Sequence, residues 1–275
     1  ATVQKGDRVL VGDVIGQATG FVSATIHSSV SGTVTSIDGV LDNGNIRRPA
    51  VTITVEGDEW NPNIDRSEEL VRGCILDSKA IIAKIAAAGI VGLGGATFPT
   101  QVKLTVPDGK KAEMLVINGV ECEPYLTADH RLMLEHAGEL LTGCEILMRA
   151  LGVEKCYIGI ENNKPDAIRH LQNTIREGSY HKGIEVVPLK MMYPQGGEKQ
   201  LIAAITGREV PSGGLPIDVG AVVQNVGTPY AVYPALQKNR PLVDRVVTAT
   251  GNDVTLPKNL LVRNGPPVHS LIEPC

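Results

Sequence analysis

Aromatic residues are scarce in this 275-residue chain, with two Phe, one Trp and six Tyr making up 3% of it. A core without them must be built from Val, Ile, Leu and Ala, and the 43% hydrophobic content supplies these in ordinary globular proportion. Long apolar runs are missing too. No segment approaches the roughly 20 residues a membrane-spanning helix needs, so the chain itself reads as soluble. Basic charge does not dominate: 26 Lys and Arg against 30 Asp and Glu give a net charge of −4, which argues against a nucleic-acid surface. The five cysteines, Cys74, Cys122, Cys144, Cys156 and Cys275, are odd in number and form no C-x-x-C pair, so these residues offer no framework for zinc or an iron–sulfur cluster. Reduced, mostly buried thiols are expected, with Cys74, Cys144 and Cys156 in apolar or helical surroundings, and with them a reducing, cytoplasm-facing compartment. Hydrolytic machinery is lacking. Ser212-Gly213-Gly214 is no nucleophile elbow, and His130, His136, His170, His181 and His269 show no H-E-x-x-H spacing. His170 and His181 read as solvated faces, while His130 and His136 fall on a long helix. The opening ATVQKGD has no leader character and no Met, as expected of a processed or excised product.

The length suffices for a sizeable core and two or three domains. Residues 1 to 60 alternate Val and Ile with polar residues between glycines at 6, 12, 16, 20, 32, 39 and 44, which predicts a small all-β module of tight hairpins. It resembles the lipoyl/biotinyl hammerhead, but its SSVSG turn has no carrier lysine, leaving a structural or docking role. His27 in this region reads as a structural histidine. From residue 61 to 242 helical and strand patterns alternate. Asp77 or Ser78 can cap a helix through AIIAKIAAAG that Gly89 stops; EMLVING, KCYIGIE, IEVVPL and AVVQNV read as buried strands. Residues 129 to 152 read as one long helix, Pro165 to about Glu177 as another, and GEKQLIAAITG as a third. This rhythm predicts an α/β fold with a mainly parallel sheet covered on both faces and ligands beyond the carboxyl ends of its strands, at the loops after 119, 161 and 189. Residues 243 to 275 return to short β segments and read as a further small domain cut off at Cys275.

The chemistry concentrates in four glycine-assisted loops. GIVGLGGATFPTQVKL, residues 89 to 104, departs from the dinucleotide fingerprint, because Thr97 stands where the last glycine belongs and a helix, not a strand, precedes it. No G-K-[ST] follows, so it is not a Walker loop. What remains is a glycine nest for an anion, with Lys103 as a point charge and Phe98-Pro99 stiffening the exit. NGVECEPY then places Asn118, Glu121 and Glu123 at a strand end, where carboxylates suit ribose hydroxyls and the amide suits a heteroaromatic edge. MMYPQGGEKQ adds Tyr193, Gly196, Gly197 and Glu198, and VVQNVGTP adds Gln224, Asn225 and Thr228.

On these motifs the sequence resembles the RnfC family, a component of the Rnf ion-translocating electron-transport complex, and more distantly the flavin-carrying, NADH-oxidising subunit of respiratory complex I. GLGGATFPTQVK, NGVECEPYLTADHR, YPQGGEKQLI and QNVGTPYAV carry the resemblance in order, over nearly the whole chain. It implies a non-covalent FMN and a nicotinamide nucleotide, NAD(H), stacking on it for hydride transfer at flavin N5. It assigns Gly92, Gly94, Gly95 and Lys103 to the flavin loop, Asn118 and Glu121 to the flavin's vicinity, Tyr193, Gly196, Gly197, Glu198, Asn225 and Thr228 to the rest of the flavin pocket, and Phe98 and Glu123 to the nicotinamide nucleotide. Relative to the complex I protein, Val120 replaces an aspartate, Gly197 the first of two glutamates and Gln224 an asparagine. The resemblance further implies a β-grasp character for the tail, two 4Fe-4S clusters in a C-terminal part beyond these residues, and a peripheral place on the cytoplasmic side of the inner membrane among the other Rnf subunits, with a ferredoxin-linked electron chain. The opposing readings are a scaffold subunit that has lost its flavin and an isolated nucleotide-binding module.

Overall fold

In the computed structural model, which describes residues 1–41, 44–180 and 182–275, the first 60 residues fold as two small antiparallel sheets. β1 (Arg8–Val9), β4 (Gly32–Leu41) and β5 (Arg47–Val55) form one in that order; β2 (Val14–Gly16) and β3 (Ile26–His27) form the other. Their inward residues Val9, Ile15 and Val34 make a separate small core. His181, expected on a solvated face, lies outside the described residues.

The central region follows. α1 (Ser78–Ala87) is capped by Asp77, whose carboxylate accepts from the Ala80 N–H at 2.8 Å. It ends at Gly89, whose φ of +68° is left-handed, and a Cβ there would lie 2.1 Å from the Thr25 carbonyl oxygen, so glycine also lets the β module approach. α2 (Thr100–Leu104) is a short turn of helix that the glycine-loop motif did not suggest. β6 (Met114–Asn118), α3 (Ala128–Glu135), α4 (Ala137–Leu151), β7 (Cys156–Glu161), α5 (Pro165–Glu177), β8 (Ile184–Leu189), α6 (Glu198–Thr206), β9 (Ala221–Asn225) and α7 (Gly227–Gln237) complete the alternation. The four strands are parallel in the order β8-β7-β6-β9. Period-two alternation sorts their side chains between two cores. Leu115, Ile117, Ile158 and Val222 face the larger one with α1, α3, α4, α5 and α7, whereas Met114, Val116 and Val223 face α6. Both faces are therefore covered, and strands buried on both sides read as the continuous apolar runs they are.

Two expectations need correction. The single helix over residues 129 to 152 is two, broken at His136, whose φ −128° and ψ 35° leave the helical region. Its ring stacks 4.9 Å from that of Tyr230 and Nδ1 lies 3.1 Å from Glu139 Oε1, contacts from outside the segment's apolar face that its periodicity does not encode. Cys74 is only partly buried, unlike Cys144 and Cys156, which are fully buried; burial and the adjacent Cys156 raise the Cys144 thiol well above its ordinary range.

The tail forms an antiparallel hairpin, β10 (Asp244–Ala249) with β11 (Lys258–Arg263), and one short helix, α8 (His269–Ile272). Arg263 on β11 donates to the Ser29 carbonyl oxygen and to Asp58 Oδ1, each at 3.1 Å. The sole tryptophan, Trp60, gathers the guanidinium groups of Arg66, Arg240 and Arg263 at 4.8, 5.3 and 4.3 Å from its ring centre, joining all three parts of the chain. Among the described residues no helix is long and apolar enough to cross a membrane.

Candidate functional site

A cavity of about 660 Å³ opens beyond the carboxyl ends of β6 and β9, within the range of small-ligand sites. The glycine loop forms one wall through Leu93, Gly94 and Gly95. The loop after β6 supplies Asn118, Glu121, Cys122 and Glu123; the turn before α6 supplies Gly196 and Gly197; Asn225 ends β9. The loop after β7, expected as a third mouth, is not on the wall. Its Lys164 instead donates to the Val120 carbonyl oxygen at 2.8 Å and supports the β6 loop from behind.

Backbone dominates the wall where a ligand would lie closest. Gly95 has φ +114°, and a Cβ on Gly94 would stand 3.2 Å from Asn225 Cβ. A Cβ on Gly196 would stand 3.0 Å from Cys122 Sγ. The side chains between these backbones are held in fixed orientations. Asn118 donates through Nδ2 to the Gly196 carbonyl oxygen at 2.8 Å and accepts from the Val120 N–H at 3.2 Å. Asn225 donates through Nδ2 to Asp129 Oδ2 at 2.7 Å and accepts from the Gly227 N–H at 2.9 Å.

Glu121 occupies a left-handed backbone conformation, φ +48°, a strained position of the kind that gathers at functional sites. Its carboxylate accepts from the N–H groups of Asp129 and His130 at 2.8 and 3.1 Å, capping α3, whose own N-cap residue Thr127 makes no side-chain cap. Burial raises the Glu121 pKa against the lowering effect of these two hydrogen bonds. Burial, and then the charge of Glu121, push Asp129 up to about 7, opposed by the Asn225 hydrogen bond, Arg245 and Lys164.

The remaining expected residues sit around this wall. Lys103 donates to Glu198 Oε1 at 2.7 Å and to the Val223 carbonyl oxygen at 3.0 Å, binding α2 to the start of α6. Thr228 is fully buried and accepts a long hydrogen bond, 3.5 Å, from the Leu93 N–H. The Gly92 N–H donates to the Phe98 carbonyl oxygen at 2.8 Å, closing the glycine loop, and the Phe98 ring lies off the cavity wall. Tyr193 is exposed and donates to Glu123 Oε1 at 3.3 Å; the Glu123 charge raises its pKa. Gln224 is buried with its Nε2 lacking a partner among the described residues.

Sequence reasoning missed a large part of the enclosure. Tyr230 and Pro234 of α7, then Arg240, Asp244 and Arg245, line the far side. Arg245 donates to the Leu93 carbonyl oxygen at 3.3 Å, so the hairpin grips the glycine loop, and its buried Nε has no partner among the described residues. The β10–β11 hairpin also meets α3 through Thr127, Thr248 and Asn259, with Thr248 Oγ1 donating to Asn259 Oδ1 at 2.7 Å.

Known proteins resemble this chain in sequence and in fold. Residues 85–234 match the family model described as the Nuo51 FMN-binding domain, and residues 1–59 match the RnfC barrel sandwich hybrid domain. Over 274 residues the chain is 47% identical to the C component of the proton-translocating ferredoxin:NAD(+) oxidoreductase complex of Clostridium ljungdahlii, covering 99% of this chain and 58% of the relative. The chain belongs to the RnfC family. The corresponding component of the Na(+)-translocating ferredoxin:NAD(+) oxidoreductase complex of Acetobacterium woodii is 46% identical, with 99% and 60% covered. That of an ion-translocating oxidoreductase complex of Rhodobacter capsulatus is 42% identical, with 99% and 52% covered. The chain thus spans only half to three-fifths of these RnfC relatives. Among solved structures, an NAD+-reducing [NiFe]-hydrogenase in the H2-reduced state shares the fold at a TM-score of 0.61 and 22% identity, over 71% of this chain and 38% of the hydrogenase chain.

Proposed function

We propose that this RnfC-family chain is the FMN- and NAD(H)-binding part of a membrane-associated, ion-translocating ferredoxin:NAD oxidoreductase, and that it carries electrons between the nicotinamide nucleotide and iron–sulfur clusters. The reading treats residues 1–60, 61–242 and 243–275 as a hammerhead-like module, the nucleotide-handling domain and the beginning of a β-grasp-like domain. The 4Fe-4S clusters belong to sequence beyond these residues, and ion translocation belongs to partner subunits, which this chain meets on the cytoplasmic side of the membrane.

The observation that carries the proposal is the wall itself. Glycine backbone at 94, 95, 196 and 197 leaves room for a planar ring and a phosphorylated chain, and two amides of fixed orientation, Asn118 and Asn225, project at the strand ends. Cationic donors are at hand in Lys103 behind the loop and in the Nε of Arg245, which has no partner among the described residues. These residues fit FMN. Gly92, Gly94, Gly95 and Lys103 would hold its phosphate side, with Asn118, Glu121, Gly196, Gly197, Asn225 and Thr228 around the ring and ribityl chain. Glu198 fixes Lys103, Tyr193 at the open rim would border the flavin pocket, and Glu123, which accepts its hydrogen bond, would meet the nicotinamide nucleotide. When bound, the flavin supplies a hydride acceptor at N5 and a means of passing electrons singly to a cluster. The protein's share is orientation, exclusion of water and electrostatic bias, and no general acid or base is required of it for the hydride step.

Titration of the purified protein with FMN, followed by anaerobic NADH, tests this. Saturable one-to-one binding and bleaching of the flavin band are expected. A folded chain that leaves FMN free refutes the assignment.

A further inference from the structure

Asp129 has no assigned role in that reading, yet it stands on the cavity wall and holds a flavin-facing amide in place. Its Oδ2 accepts from Asn225 at 2.7 Å, and its own N–H donates to Glu121 Oε1 at 2.8 Å, so two carboxylates converge at the N-terminus of α3. The charged groups facing it come from every side. Glu121 comes from the β6 loop, Arg245 from β10 and Lys164 from ahead of α5, while the His130 ring at the next position of α3, 2.9 Å from Asp166, acts on Glu121. Neither cation neutralises it directly: Lys164 is engaged by Val120 and Arg245 by Leu93, while the Asp129 carboxylate accepts from Asn225. Along the same wall, Arg240 is tied to Asp244.

We propose that Asp129 is the proton-exchanging residue of the pocket, taking up one proton when the anionic, phosphate-bearing cofactor fills it. The inference rests on the flavin-site reading above. A ligand that enters strips water from the carboxylate and adds negative charge, and both favour the protonated form. The balance is simple: one carboxylate and one solvent proton give one carboxylic acid, with no electron moved. The acid still accepts the Asn225 hydrogen bond through its second oxygen and gains an O–H donor. Its pKa near 7 before binding places the exchange in the neutral range.

The test is calorimetric titration of the protein with FMN at pH 7.5 in two buffers of different ionisation enthalpy, where the FMN phosphate, with a second pKa of about 6, is already a dianion. Uptake of up to about three-quarters of a proton, the share of Asp129 still ionised at that pH, is expected in the wild type and is lost in Asp129→Asn. The FMN dissociation constant should rise by up to about tenfold per pH unit above pH 7 in the wild type, while that of the variant stays flat. Infrared difference spectra of the wild type should gain a protonated-carboxyl band on binding, which decides the matter even if the variant folds poorly. FMN binding without proton uptake or that band, or a variant that keeps the uptake, overturns the inference alone. Absence of FMN binding overturns the flavin reading and this inference with it.

Discussion

Gly143 lies in the middle of α4, away from the cavity, and its substitution tests how far packing governs the site. An alanine Cβ there would fall 1.9 Å from the Pro229 carbonyl oxygen, 2.6 Å from its carbonyl carbon and 3.0 Å from its Cα. All three atoms are backbone of α7, so no rotamer change relieves the clash. α7 would have to retreat by more than about 1 Å in a close-packed interior. Overpacking typically costs ~1–3 kcal/mol, and a backbone obstacle puts Gly143→Ala at about 3 kcal/mol, a fall of ~6–12 °C in melting temperature for a chain of this size. The displacement reaches the site directly, because α7 begins at Gly227 and carries Thr228 against the glycine loop. FMN affinity should therefore fall by about tenfold or more. Gly152→Ala is the control: it is left-handed at φ +66° with nothing within 4 Å of a Cβ, so it should cost ~1 kcal/mol and leave affinity unchanged. Thermal unfolding by circular dichroism and quenching of FMN fluorescence report the two quantities. A Gly143→Ala protein that melts within about 2 °C of wild type, with unchanged affinity, would refute the reasoning.

Glu123→Ala removes the rim carboxylate that accepts from Tyr193, and should weaken NADH-dependent flavin reduction more than FMN retention; equal loss of both sinks its assignment. Lys103→Met frees Glu198 and the Val223 carbonyl oxygen and should weaken FMN more than riboflavin, which lacks the phosphate; equal weakening would assign Lys103 to packing alone. Arg245→Ala breaks the grip on Leu93 and should lower FMN affinity by about tenfold, as for loss of a charged hydrogen bond; unchanged affinity would detach the hairpin from the site. Asp129→Asn should alter stability as well as proton exchange. The native pKa is raised from 3.8 to about 7, so stability is fully present below 3.8 and is lost as pH rises through 7, by at most about 4 kcal/mol. The variant should accordingly gain in melting temperature at pH 8 but not at pH 4, and parallel profiles for the two proteins would contradict this.

Elements whose causes are local were legible in the sequence. Pro165 at the first helical turn and an apolar period mark α5, and β-branched runs bounded by glycine and charge mark β7, β8 and β9. α7 escaped notice because Pro229 and Pro234 lie within GTPYAVYPALQ; Pro229 falls in the first turn, where a missing N–H costs nothing. The break at His136 escaped for the opposite reason. Apolar periodicity runs on through it, and the ring of Tyr230 that stacks on it comes from a helix far along the chain.

The site divides along the same line between near and far causes. Asn118, Glu121, Glu123 and Asn225 stood out because strand ends collect ligands and each lies within a few residues of one, whereas the glycine loop follows a helix and stood out by its glycines alone. Asp129 lies within NGVECEPYLTADHR and still passed unnoticed, since an acid in the first turn of a helix ordinarily needs no explanation beyond the helix dipole. Here that explanation fails on geometry. The N-terminal N–H groups of α3 are already claimed by Glu121, eight and nine residues earlier in the chain, leaving Asp129 to turn inward to Asn225. A remote cap thus releases a local acid into the cavity. The sharp, strained turn at Glu121 that makes the cap possible is also what places a second carboxylate beside Asp129. One backbone conformation therefore sets both the shape of the wall and its capacity to hold a proton.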